Sequence, residues 1–161
     1  MPRPLTMTTP GDRQIVVVRE FDAPRDLVFL CYSRPDLLRR WYGLPDWTMP
    51  VCEMDFRVGG KWRFVSLAPD GKFEMGSQGV YNAIVPPERI EQTEYYDDDW
   101  TKGGTTNIVV FTEAAGVTTA TMTITYTSPE ARDGAAASPM AVGMEIGFKR
   151  LDATLAELNT N

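Results

Sequence analysis

The stretch SPMAVGMEIGFKRLDATLAEL, Ser138 to Leu158, decides the fold. At about 100° per residue, Met140, Met144, Gly147, Phe148, Leu151, Leu155 and Leu158 fall within roughly a 100° arc. Lys149, Arg150, Asp152 and Glu157 lie off that arc. The pattern predicts a long amphipathic helix, with Ser138 as its cap and Pro139 at its first position. About 20 residues give a rod about 30 Å long, enough to lie across a sheet. The small-residue segment before it, Ser128 to Ala137, reads as a loop.

The sheet lies upstream. Gln14 to Asp22 (QIVVVREFD) is rich in β-branched residues and reads as a strand. Two short helices follow. The first starts at Asp22-Ala-Pro-Arg-Asp26 and carries Leu27, Val28 and Cys31 on one face. The second starts at Ser33-Arg-Pro-Asp36, carries Leu37, Leu38 and Trp41, and ends at Gly43 and Pro45.

From Trp47 to Tyr126 strands alternate with turn chemistry. The turns are Gly59-Gly60, Pro69-Asp-Gly71, the donor-poor Pro86-Pro87, the polar loop 97–104 and Ala115-Gly116. In TATMTITYT, Met122, Ile124 and Tyr126 share one face and the threonines the other. Strands in a run beside segregated helices mean α+β, with about six to seven antiparallel strands curved around the long helix. Residues 1–13 are expected to be a flexible tail, and 14–161 a single domain. A hollow is expected between sheet and helix unless bulky side chains fill it.

Composition narrows the function. In 161 residues, Lys and Arg number 16 against 22 Asp and Glu, a net charge of −6. Such a surface repels polyphosphate and anionic lipid, so nucleic acid and membrane docking are disfavoured. The chain has no histidine, which removes Ser-His-Asp and Cys-His nucleophiles and His-ligated zinc. Cys31 and Cys52 form no CxxC and are expected to be reduced, structural residues of a cytoplasmic protein. No metal or cofactor site is expected. No stretch reaches the ~18–20 apolar residues of a membrane span, and the Pro- and Thr-rich N-terminus does not read as a signal peptide.

Particular residues carry a resemblance. REFDAP (Arg19–Pro24), RPDLLRRWYG (Arg34–Gly43), DFRVGGKWRF (Asp55–Phe64), PPERI with Thr93, and GFKRLDATL (Gly147–Leu155) spread over almost all of 14–158. The chain resembles the START-like (SRPBCC, helix-grip) superfamily and, within it, the family similar to the activator of Hsp90 ATPase. The resemblance implies a hydrophobic cavity between the sheet and the C-terminal helix. Relatives hold lipids, sterols, polyketides or other apolar molecules there, and a minority are aromatases, cyclases or hydrolytic enzymes. The Hsp90 activator leans on an additional N-terminal domain. Only residues 1–13 precede the first strand here, so a chaperone partner is not expected.

The expected lining is aromatic and Met-rich: Trp41, Trp62, Phe64, Tyr81, Phe111, Met122, Ile124, Tyr126, Met140, Met144 and Phe148. Each also reads as plain core, and Trp41 reads first as a core residue fixing the short helices to the sheet. Methionine adapts to irregular ligands, and an apolar pocket with a few polar groups is a typical small-molecule site. The polar candidates are Arg63, Glu94 and Glu145, with Gln92 on the same face as Glu94. A carboxylate in an apolar pocket gains a raised pKa. Each also reads as a solvated flank. Of Tyr81, Tyr95, Tyr96 and Tyr126, strand register decides which point inward, and Tyr81 and Tyr126 are preferred. Arg57 reads as a surface charge, and Asp97 to Asp99 as a solvated loop rather than half a calcium loop. Val142 and Ile146, opposite the gripping arc, are a candidate dimer contact. The first expectation is a non-catalytic carrier or sensor of a small apolar molecule. The alternatives are a cyclase, aromatase or hydrolase using the same cavity, and an interaction module of the Hsp90-cofactor kind.

Overall fold

A computed structural model describes residues 3–160. The order is β1 (Thr6–Thr8), β2 (Gln14–Phe21), α1 (Arg25–Ser33), α2 (Pro35–Leu38), β3 (Thr48–Met54), β4 (Lys61–Leu67), β5 (Glu74–Val85), β6 (Arg89–Tyr96), β7 (Thr105–Ala114), β8 (Val117–Tyr126), α3 (Pro129–Ala137) and α4 (Met140–Asn159). All strands join one antiparallel sheet in the order β1-β2-β8-β7-β6-β5-β4-β3. This is the expected α+β helix-grip architecture, with eight strands rather than six or seven.

The extra strand comes from the segment read as a tail. Thr6, Met7 and Thr8 pair with Val18, Val17 and Val16. The partner strand is a run of β-branched residues with an open edge, so it recruits even a short threonine-rich neighbour.

A second correction concerns Ser128 to Ala137, which is helix and not loop. Ser128 is extended, its Oγ accepts from the Ala131 amide at 3.1 Å, and Pro129 takes the first helical position. Four alanines then favour helix over coil. Ser-Pro occurs twice, at 128 and at 138, and the first copy forms the cap. Ser138 instead ends α3, donating its hydroxyl to the Ala135 carbonyl, and α4 starts after Pro139 without a side-chain cap.

α2 is one turn long, so Trp41 lies beyond it in the loop leading to β3. Its start is Arg34 rather than Ser33, which is the last residue of α1. That loop crosses α4 closely: a Cβ on Gly147 would stand 3.0 Å from the Trp41 carbonyl oxygen. Arg150 Nη2 donates to the Gly43 carbonyl beside it. The β7–β8 hairpin turns at Ala115-Gly116, both with positive φ (52° and 78°), as a two-residue turn of matching twist requires.

Inward-facing residues alternate along every central strand. On β2 they are Ile15, Val17, Arg19 and Phe21; on β4, Trp62 and Phe64; on β8, Ala120, Ile124 and Tyr126. Phe148, Leu151 and Leu155 of α4 close the core from the other side.

Candidate functional site

The strand register brings a polar row onto the concave face. Glu94 of β6 stands opposite Thr105 of β7, and Thr105 opposite Tyr126 of β8. All three are buried. Thr105 Oγ1 donates to Asn107 Oδ1 at 3.3 Å, and Asn107 Nδ2 donates to Glu94 Oε1 at 3.4 Å. Burial pushes the Glu94 carboxyl above its ordinary value, and hydrogen bonding with Asn107 and Tyr96 only partly draws it back. The same burial, together with the charge of Glu94, raises Tyr42 and Tyr96, and takes Tyr126 up to about 12.

The sheet is interrupted beside this row. β5 and β6 pair at Ser77↔Tyr96 and Gln78↔Tyr95, then again at Tyr81↔Gln92. Between these pairs the Val80 amide donates to Thr93 Oγ1 at 3.1 Å. Gly79 sits in the gap, and a Cβ there would stand 1.8 Å from the Thr93 carbonyl oxygen and 2.8 Å from Trp62 Nε1. Glycine is therefore required, and the indole edge of Trp62 lies against it. Trp62 is 2% exposed and Nε1 has no hydrogen-bond partner. Among the described residues, Arg89 Nε and Arg150 Nε share that condition. Both arginines bond through Nη2, however, whereas indole has a single polar atom.

The rest of the concave side is aromatic. Tyr42 tilts onto Phe64 at 5.4 Å, and Phe64 onto Trp62 at 4.7 Å. Trp41 stacks on Phe148 at 6.1 Å, and its Nε1 donates to the Cys31 carbonyl at 3.0 Å. Phe111 packs on Phe29 and Tyr32, and Tyr81 on Phe56. Met122, Met140 and Met144 are half-buried against this cluster. Met122 and Gln92 face inward from central strands and are still partly exposed. The expected open hollow is largely closed by these rings. Two open surface hollows lie outside it, one of about 330 Å³ over Leu5, Val142 and Ile146, the other along 10–14.

The sequence candidates thus separate. Trp41, Trp62, Phe64, Tyr81, Phe111, Ile124, Tyr126 and Phe148 are buried in one cluster, and Glu94 joins them. Arg63 does not. It alternates with Trp62 and Phe64 onto the convex side and pairs with Asp97 at 2.6 and 2.7 Å. Glu145 is not a cavity group either. With Asp152 it grips Arg19, a buried cation that the sequence reading missed. Arg19 Nε and Nη2 reach Glu145 at 3.1 Å, and Nη1 and Nη2 reach Asp152 at 2.9 and 2.7 Å. The Leu5 amide adds a bond of 2.9 Å to Glu145. Burial works against charge on Glu145, but bonds from Arg19 and Leu5 and the charges of Arg19 and Lys149 hold its carboxyl below the usual value. A signal existed: Glu145 and Asp152 are seven residues apart on one helix face, and Arg19 is in phase with Val17 and Phe21.

Tyr95 points outward, Arg57 pairs with Asp55, and Asp99 caps the turn at Thr101 and Gly103. Cys31 and Cys52 are buried free thiols, Cys31 pushed up to about 11 by desolvation. Among the described residues no three potential ligands gather into a metal cluster, and no helix is long and apolar enough to cross a membrane.

With this geometry in place, comparison with known proteins places the chain. The fold is shared with a crystal structure from Rhodobacter sphaeroides, 30% identical over 96% of this chain and 99% of that one, with a TM-score of 0.90. A protein from Mycobacterium smegmatis matches at 25% identity, 94% and 97% coverage and a TM-score of 0.82. One from Arthrobacter aurescens matches at 26%, 94% and 91%, also with 0.82. No curated protein matches significantly. The family model described as activator of Hsp90 ATPase homolog 1-like protein covers residues 22–156, and the chain belongs to that family.

Proposed function

We propose that the chain binds a small apolar molecule between the sheet and α4, as a carrier or sensor without catalysis. One observation carries the reading: Trp62 Nε1, a buried donor with no partner, lies on a cross-strand row that runs through Gly79 to the buried Glu94, beside a cluster of aromatic rings. An unmet buried polar group costs about 1–3 kcal/mol. Such a group in a native fold calls for an explanation, and an acceptor brought by a ligand supplies one. The family's common use of this fold, holding hydrophobic ligands, supports the same reading. Tyr42 covers the place from a loop that contains two positive-φ residues, Gly43 and Asp46. Entry of a ligand requires Tyr42 and the neighbouring methionines to move aside, and methionine does so at low cost.

Two groups offered for the enzyme alternative, Arg63 and Glu145, are held in ion pairs away from Glu94. That favours binding over acid–base work. The test is a thermal-shift and native mass-spectrometry screen against lipids, flat aromatics and polyketide-like compounds. A stoichiometric complex that raises the melting temperature is expected. A complete absence of bound species across the library contradicts the reading.

A further inference from the structure

Three features converge between β5 and β6: the ladder skips the pairs at Gly79 and Val80, a glycine replaces any side chain, and an indole N–H is left without an acceptor. Each has a local cost, and together they leave one donor unmet among closely packed groups on the concave side. Indole nitrogen only donates, so whatever completes it supplies an acceptor. By register count, Glu94 stands across the gap from Gly79. The rings of Phe64 and Trp62, 4.7 Å apart, suit a flat apolar body.

Resting on the reading that this interior holds a ligand, we infer that its ligand is a flat, apolar molecule bearing a carbonyl oxygen, which accepts from Trp62 Nε1 and is faced by the Glu94 carboxyl. A carbonyl has two lone pairs and no proton of its own, so it takes one donor on each side. The raised Glu94 carboxyl keeps its proton over a wider pH range than a solvated one, which suits it to be the second donor. Asn107 then orients the carboxyl through Oε1. A hydrocarbon of the same outline fills the same space and leaves Trp62 Nε1 unmet.

The probes are 9-fluorenone and fluorene, which differ in outline only by the oxygen. Dissociation constants for both are measured by tryptophan fluorescence on the wild type and on Trp62→Phe, with circular dichroism confirming the fold of the variant. Fluorenone is expected to bind about five- to tenfold more tightly than fluorene to the wild type, the net worth of one or two buried hydrogen bonds. The preference should shrink below about twofold in Trp62→Phe. Should that variant not fold, the infrared carbonyl stretch of fluorenone on the wild type decides. A shift to lower frequency on binding supports the inference, and an unshifted band overturns it. Equal affinities for the two probes overturn the carbonyl seat but leave the binding reading standing. Binding of neither probe, with another class from the screen bound, does the same. Absence of any bound compound removes the underlying reading and this inference with it.

Discussion

Two buried polar centres sit on the same sheet and are built in opposite ways. Around Arg19, every demand is met: the guanidinium bonds two carboxylates and the Glu20 carbonyl, and lies 5.0 Å from the Phe21 ring centroid. Around Trp62 and Glu94, demands are left open, with an orphan donor, a 3.4 Å hydrogen bond and a broken ladder. The first centre fastens α4 to β2 and to the stretch before β1. The second lies further across the sheet, under an aromatic lid. The contrast teaches where to look for function: charge alone does not mark a site, because a cation 3% exposed serves here as a rivet.

The largest effect tests the rivet. Arg19→Met leaves two carboxylates facing each other on α4. The loss should be about 2–4 kcal/mol, below that of a fully buried pair because both acids reach solvent. Urea denaturation followed by circular dichroism measures it. A change under 1 kcal/mol would show that the ion pairs do not hold the helix.

The lid comes next. Tyr42→Ala removes the ring over Phe64 and should cost about 2–3 kcal/mol, less than a fully buried aromatic. Ligand binding should tighten in this variant, because the cover no longer has to be displaced. Weaker binding in Tyr42→Ala would mean that Tyr42 is a contact and not a cover.

The two carboxyls should then respond to pH with opposite signs. Glu94 has a raised value in the folded state, so the native state binds its proton more tightly than the unfolded one. Its contribution is favourable near and below pH 4.5 and is lost as pH rises through the folded value. Glu145 is lowered, so its contribution is present above pH 4.5 and is lost as pH falls through the folded value. Glu94→Gln should therefore stabilise the protein at pH 8 by about 1 kcal/mol and do little at pH 4, whereas Glu145→Gln should destabilise at pH 8 and do little in acid. Melting temperature across pH 4 to 9 checks both, and parallel profiles for the two variants would erase the distinction between the centres.

The smallest effect is on the stability of Trp62→Phe. The orphan donor goes and some packing is lost, so the two changes offset to within about 1 kcal/mol. A loss of about 3 kcal/mol would mean that Nε1 is satisfied in solution.

Much of the fold was legible because its signals are local. The period of Met140 to Leu158 marked α4, the threonine alternation around Met122 marked β8, and Ala115-Gly116 marked the hairpin. The Ser128 cap was equally local and was passed over because the small residues after it resemble a loop. The site was legible only by composition. Trp62, Phe64 and Glu94 could be put on an inner face by alternation, yet Arg63 and Glu145 looked as good as Glu94. What separates them is partners distant in sequence: Asp97 lies 34 residues from Arg63, and Arg19 lies 126 from Glu145. The gap at Gly79 depends on Thr93 and Trp62 together, and one strand's sequence does not carry it.

One spectrum addresses the central claim at single-residue resolution. The chain has four tryptophans, so its ¹⁵N-labelled form gives four indole N–H signals. On titration with 9-fluorenone, the Trp62 signal should move downfield as it gains an acceptor, while Trp41, already bonded to the Cys31 carbonyl, holds nearly still. A saturating titration that leaves Trp62 unmoved and instead shifts Val142 and Ile146 on the outer face of α4 would contradict a site between sheet and helix.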